Sequence, residues 1–365
     1  MTSKRHKTGK AAGLKMDDVA RLAGVSKSTV SRALSDSPLV NEETKKRIRA
    51  LAARHNYTID ERARNFRLRQ TNTIAVVIHL THDIDQHVSD PFFLDLLGHI
   101  ADTLAERGYD LLLSKVVAGD ADWLERLAAT RRSDGLILLG QSTQHAIINQ
   151  FAAQHPAMVV WGAKLPRQRY TTVGGDNVAG GAKACAHLLA QGRRHIAFLG
   201  DTRVPEIRHR HQGYVEALAK AGLKADPKLT LPVHFSSVAA YEAMREFLRG
   251  TIGRSGGQRA WRADQTIGRQ RIDAVFAGSD VIAMSAIKAL RESGLAVPGD
   301  VAVVGYDDIP LAAYVDPPLT TVRQDTSAAA RLLVDSLLDR LAGRPAPSVV
   351  LDPVLVVRAS SSATR

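Results

Sequence analysis

The sequence predicts an α/β body of two lobes, each a doubly wound parallel sheet, preceded by a small all-α head of helix-turn-helix type. Three observations predict it. From Thr73 onward, short apolar runs alternate with amphipathic segments, as in IAVVIHL at 74–80, GLILL at 135–139 and VAVVG at 301–305. Unbroken apolar strands separated by helices belong to parallel sheets buried on both faces, and their number suits two lobes. Before Thr73, the stretch Met16–Thr44 packs two short helical patterns, a Gly turn and the start of a third helix. Charge is also divided: residues 1–70 hold 17 Lys or Arg against 7 Asp or Glu, so +10 of the net +12 resides in the head.

Taken in order, residues 1–14 are a basic stretch expected to be a disordered tail, adding either loose phosphate contacts or only solubility. Asp17 and Asp18 then place negative charge at a helix N-terminus, and Val19 and Ala23 share a face. Gly24 breaks the run because it reaches the left-handed conformation that a sharp inter-helix turn requires. Ser26 caps the next helix, whose Val30, Ala33 and Leu34 can meet the first. Lys27, Ser28, Ser31 and Arg32 are left outward, short or forked donors suited to a major groove. An ordinary surface helix could carry the same residues. Asn41 caps a third helix, expected to run to about residue 56, with Ile48, Leu51 and Ala52 inward. Lys45, Lys46, Arg47 and Arg49 read as its solvated or phosphate-facing side. Head boundaries of 15–58 leave a basic, amphipathic segment at 59–72 before the first strand.

In the body, residues 73–358, strands are expected at 74–80, 110–117, 135–139, 157–161, 171–175, 195–200, 229–233, 273–277, 301–305 and 350–357, with 359–365 as a C-terminal tail. The Gly-rich run at 174–181 lacks the spacing of either phosphate-binding fingerprint and reads as a tight turn into a helix. TIGR occurs at 251–254 and again at 266–269, a local duplication within a stretch, about 251–270, expected to be a tolerated insertion. The single cysteine, Cys185, excludes an intramolecular disulfide and fits a reducing cytoplasm. The first residues lack an apolar signal core, and no run reaches the length of a membrane span, so neither secretion nor membrane association is expected. No GxSxG elbow, HExxH or Cys/His metal spacing occurs, and histidines such as His79, His82 and His87 read as surface residues. The expectation is therefore a non-enzyme without cofactor or metal.

Residue by residue, the head resembles the LacI/GalR family of bacterial repressors. The match runs through Asp18-Val19-Ala20, Ala23-Gly24-Val25-Ser26, Thr29-Val30-Ser31-Arg32 and Leu34, then Val40, Asn41 and Thr44, with Ser35 where the family usually has Asn. Later landmarks extend it: Gly174-Gly175-Asp176-Asn177, VPGDVAVVGYDD and Pro318-Leu319-Thr320-Thr321-Val322-Arg323-Gln324. The resemblance implies a body of the periplasmic-binding-protein type I fold, with three crossovers near 162–172, 320–324 and 342–349. It implies that 59–72 is a hinge helix whose apolar residue, here Phe66 in place of Leu, wedges into the minor groove; Ile59 departs from the family's Pro. Phe66 could instead cap the head's core.

Open parallel sheets bind ligands beyond the carboxyl ends of their strands. The resemblance places Phe92, Trp161, Arg210, Phe235, Ser279 and Asp307 at an effector pocket there. Phe92 and Phe235 could equally be core aromatics, Asp280 is expected to cap a helix, and Asp307 or Asp308 could cap a turn. Aromatic walls with one guanidinium and carboxylates suit a carbohydrate. The expected function is a sequence-specific transcriptional regulator: Lys27, Ser28, Thr29 and Arg32 reading double-stranded operator DNA, Ser26 and Asn41 holding phosphates, and a homodimer matching a palindrome. A solute-binding component of a transport system is the alternative from the body alone, but the basic head argues against it, and an enzyme on the same sheets is a third.

Overall fold

The computed structural model describes residues 14–55, 57, 70–78, 89–116, 122–251 and 272–362. The basic tail to residue 13, Phe66 and most of the hinge, His79, His82 and His87, and the insertion from residue 252 lie outside the described residues. Residue contacts divide the chain into two units between Thr71 and Asn72.

In the head, helices span Met16–Ala23, Lys27–Leu34 and Glu42–Arg54. Gly24 ends the first at φ 63°, the left-handed conformation expected of it. Val19, Ala20, Ala23, Val30, Ala33, Val40 and Ile48 form the core, so each helix contributes its predicted apolar face. The basic face of the third helix differs from expectation. Lys45 is buried and bonded to Glu42 and Asp36, Arg49 also holds Asp36, and Arg47 donates to the Ala23 carbonyl. Lys45 and Arg49 fasten the loop after the second helix, where Asp36 takes φ 58°, and Arg47 fastens the end of the first helix.

The body contains two six-stranded sheets. The first is built from β1 Thr73–Ile78, β2 Asp110–Lys115, β3 Gly135–Leu139, β4 Met158–Trp161, β5 Thr171–Gly175 and β11 Val349–Leu351. The second uses β6 Ile196–Leu199, β7 Thr230–Leu231, β8 Ala274–Ala277, β9 Ala302–Asp307, β10 Thr320–Arg323 and β12 Val354–Val356. Their orders are β11-β5-β4-β3-β1-β2 and β12-β10-β9-β8-β6-β7. All pairings are parallel except β10–β12, which is antiparallel. Each sheet is buried on both faces. Along β1, Ala75 and Val77 join one cluster while Ile74, Val76 and Ile78 join another, and β6 divides Ile196 and Phe198 from Ala197 and Leu199 in the same way.

Three corrections follow from the topology. The first and third crossovers lie later than expected, after β5 and between β11 and β12, whereas the second leaves β10 at Arg323, where it was expected. Thr320–Arg323 is itself a strand, and the expected strand at 350–357 is two strands, one in each sheet. The segment read as a C-terminal tail begins inside the second lobe, where the buried Ser360 hydroxyl donates to the Val303 carbonyl and accepts from the Thr320 N–H.

The Gly-rich run at 174–181 is a strand end and a helix start joined at Asp176, and its glycines also serve packing. A Cβ on Gly181 would stand 2.0 Å from the Arg210 carbonyl oxygen, and one on Gly213 would stand 2.0 Å from that of Val178. The helices Asn177–Ala190 and Pro205–Lys220 therefore pack backbone to backbone, which fixes the position of Arg210.

Candidate functional site

On the head, the helix Lys27–Leu34 presents the predicted contact residues. Ser26 is its N-cap: the hydroxyl accepts from the Thr29 N–H at 3.2 Å and lies 2.8 Å from Ser28 Oγ and 2.9 Å from Thr29 Oγ1. Lys27 donates to Asp17 across the turn at 2.9 Å, with both side chains exposed. Ser28 and Arg32 stand four residues apart on the outer face, both exposed. Among the described residues, nothing engages the Arg32 guanidinium. Asn41 is exposed and caps the third helix, its Oδ1 accepting from the Thr44 N–H at 2.8 Å. A row of hydroxyls with one unspent guanidinium is a surface for phosphate and base-edge hydrogen bonds.

In the body, the predicted residues fall at the carboxyl ends of the strands. Phe92 follows Asp90, whose carboxylate accepts the Phe92 N–H and caps the helix Pro91–Glu106. Its ring meets that of Trp161, at the end of β4, with centroids 5.8 Å apart. Both rings are buried, 7% and 5% exposed, in the core cluster that also holds Ile78 and Leu139.

Arg210 and Asp307 form the second lobe's polar centre. Both are buried, with Arg210 Nη1 3.5 Å from Asp307 Oδ1. The guanidinium also donates to Asn177 Oδ1 at 2.8 Å and to the Gly278 carbonyl at 2.5 Å, and it lies over the Tyr306 ring, 3.6 Å from the centroid. Asp307 accepts from Gln324 Nε2 at 2.8 Å. Burial, opposed by Arg210, holds the Asp307 carboxyl well above the ordinary carboxylate range. Its backbone takes φ 115° and that of Asp308 takes φ 54°, two strained residues in succession at the end of β9.

The remaining predicted residues stand differently. Ser279 is buried, and its hydroxyl accepts from the Ile282 N–H, so Ser279 and not Asp280 caps the helix Asp280–Glu292. Asp280 is buried instead against Thr321 Oγ1 at 2.5 Å and the Ile309 N–H at 2.9 Å. Asp308 holds Arg323 and Arg358. Phe235 is half-buried and packs on the cluster containing Phe198, Phe276 and Tyr306.

Sequence reasoning missed Asn177, Tyr306 and Gln324, which orient Arg210 and Asp307, although all three stood in motifs already singled out. It also missed Glu206, four residues before Arg210 on the same helix face. The spacing was the available signal.

A helix-turn-helix head joined to a two-lobed body with a polar and aromatic crevice defines a sequence-specific DNA-binding transcriptional regulator governed by a small effector. Residues 15–60 match the family described as "Bacterial regulatory proteins, lacI family". Residues 80–251 match "Periplasmic binding proteins and sugar binding domain of LacI family", and residues 185–361 match a periplasmic binding protein-like domain. The chain belongs to the LacI/GalR family.

Over 352 residues it is 32% identical to the HTH-type transcriptional regulator CelR of Thermobifida fusca, covering 94% of this chain and 97% of that one. The ribose operon repressor of Escherichia coli K12 is 31% identical over 356 residues, covering 95% and 99%. Among solved structures, a CelR–cellobiose complex superposes with a TM-score of 0.68 at 31% identity, covering 95% of this chain and 99% of that one. The lac repressor dimer bound to operator shares the fold, with a TM-score of 0.79 at 24% identity, covering 96% and 100%. The two sequence relatives are named as a transcriptional regulator and a repressor. Among the described residues, no helix is long and apolar enough to cross a membrane.

Proposed function

We propose that this regulator is a repressor that binds a palindromic operator as a homodimer in the cytoplasm, and that a sugar or sugar derivative in the crevice sets its operator affinity. The observation that carries the effector reading is the pairing of an aromatic wall, Phe92 and Trp161, with a buried guanidinium–carboxylate pair, Arg210 and Asp307. Sugars present C–H faces to the first and hydroxyls to the second. The relatives support the same chemistry: one represses a ribose operon, and another was solved with cellobiose. Phe235 closes the pocket, and Ser279 acts through the helix start that it caps.

On the head, Arg32, Lys27 and Ser28 read base edges with Thr29 beside them, while Ser26 and Asn41 hold phosphates through groups already ordered by capping. The Lys27–Asp17 bridge is exposed and worth little, so DNA can displace it. Residues 59–72 form the hinge, with Phe66 as the minor-groove wedge. For the dimer, Leu311 and Tyr314, 53% and 85% exposed, mark the face that a second copy covers.

Selection of bound duplexes from a random pool, followed by gel-mobility titration, tests the reading. A palindromic consensus is expected, and Arg32→Ala should reduce discrimination against random DNA by about 1–3 kcal/mol. Unchanged specificity in that variant would remove Arg32 from the readout. Recovery of no consensus would sink the operator reading.

A further inference from the structure

The crevice holds more carboxyl groups than a set of hydroxyl acceptors needs. Glu206 lies in the first turn of the helix Pro205–Lys220, four residues before Arg210, so both side chains share a face. Burial holds its carboxyl above the ordinary range, opposed by Arg210 and by the backbone N–H of Ala163 from the first lobe, which it accepts. Asp307 pairs with the same guanidinium, and Asp90, heading a first-lobe helix, is within electrostatic reach of Asp307. Two carboxyl groups thus converge on one cation, with Asp90 acting on one of them. That cation is already committed to Asn177, the Gly278 carbonyl and the face of Tyr306.

Among the other described cations, Arg208 is exposed on the same helix and acts on Glu206. Arg203 is held by Asp201, and burial keeps His209 and His211 below the ordinary histidine range, hence neutral. Five of the helix starts at the strand ends, which would otherwise attract anions, carry the protein's own acids, whereas that of the helix His145–Gln154 does not. Asp90, Asp176 and Asp325 cap three of them, Glu206 lies in the first turn of a fourth, and Asp280 follows the Ser279 cap of a fifth.

We infer that the crevice is a charge filter in which Glu206, with Asp307 and Asp90, admits un-ionised and amino-bearing saccharides and rejects phosphorylated and acid sugars. This rests on the sugar reading above. A phosphate entering the site would lose its hydration beside these carboxyl groups and find the buried guanidinium of Arg210 already committed. The carboxyls would have to remain protonated to tolerate it, so any residual anion binding should weaken as pH rises. Hydroxyl and ammonium groups, by contrast, donate to the same oxygens.

The test is calorimetric titration of the full chain with matched sets: ribose and ribose 5-phosphate; glucose, glucosamine, glucuronate and glucose 6-phosphate; and cellobiose. At least one neutral or amino saccharide should bind, with any acid or phosphorylated partner more than about tenfold weaker, or about 1.4 kcal/mol. Glu206→Gln should shrink that ratio severalfold while melting like wild type. If the variant does not fold, the wild-type ratio at pH 6 and pH 8 still decides: it should widen at the higher pH. A phosphorylated sugar that binds as tightly as its neutral counterpart overturns the filter and leaves the sugar reading intact. An unchanged ratio in folded Glu206→Gln overturns the role of Glu206. Binding of no saccharide of any charge brings down the sugar reading and the filter with it.

Discussion

At the level of single residues, the buried acid Asp280 gives the second lobe a pH signature. Burial pushes its carboxyl up to about 7; Thr321, the Ile309 N–H and Arg358 oppose this, while Asp308 adds to it. A carboxyl whose folded pKa is raised binds more protons folded than unfolded, so stability falls as pH rises from about 4 to about 7 and stays lower above that. The body should melt at a higher temperature at pH 5 than at pH 8, and Asp280→Asn should remove a share on the order of a few kcal/mol of that difference. A variant with the wild-type pH dependence would show that Asp280 does not titrate in this window. Asp307 is shifted the same way, so some slope should remain. This behaviour was not legible in the sequence, where Asp280 read as a helix cap. Spacing shows that an acid starts a helix, but only the fold shows that Thr321, from a strand 41 residues away, closes over it. Arg210 was half legible: its motif identified a forked donor, while the partners that fix its direction come from distant stretches of chain.

At the level of elements, apolar patterning located most strands to within a few residues, because a strand buried on both faces has nothing but apolar side chains to show. What failed were the pieces whose sheet membership depends on long-range pairing. Thr320–Arg323 alternates too little to read as a strand, and Val349–Leu351 and Val354–Val356 read as one run although they belong to different sheets. The insertion can be judged from its flanks. The chain leaves the helix Ser237–Thr251 and returns at Ile272 to enter β8 at its amino end, whereas the crevice lies beyond the carboxyl ends. Replacing residues 252–268 by a short Gly-Ser linker should therefore leave operator affinity and effector response within about twofold, roughly 0.4 kcal/mol. A larger loss of either would assign the duplicated TIGR segment a role in assembly or signalling.

For the molecule as a whole, the proposed dimer face makes a direct demand. The exposed Tyr314 and Leu311 precede Val315, which with Met284 and Ile287 forms the apolar part of a groove rimmed by Lys288, Arg291, Glu292 and Asp316. Tyr314→Asp should shift sedimentation from dimer to monomer and weaken operator binding, since a palindrome rewards two heads held together. A variant that remains dimeric would place the interface elsewhere. The division into head and body was legible from charge and periodicity, because both are properties of contiguous sequence; of the three crossings between lobes only the one after Arg323 was. Those crossings also govern how the protein can be made. The head's core is complete by Tyr57, so it can fold while synthesis continues. Neither sheet of the body can be: the first waits for the covering helix Thr326–Leu341 and the strand Val349–Leu351, the second for Val354–Val356 and Ser360. A nascent chain therefore carries a finished head on two unfinished lobes until its last residues emerge. A transcript truncated before codon 349 yields a product with bare sheet edges, which quality-control proteases should remove before its head can occupy an operator.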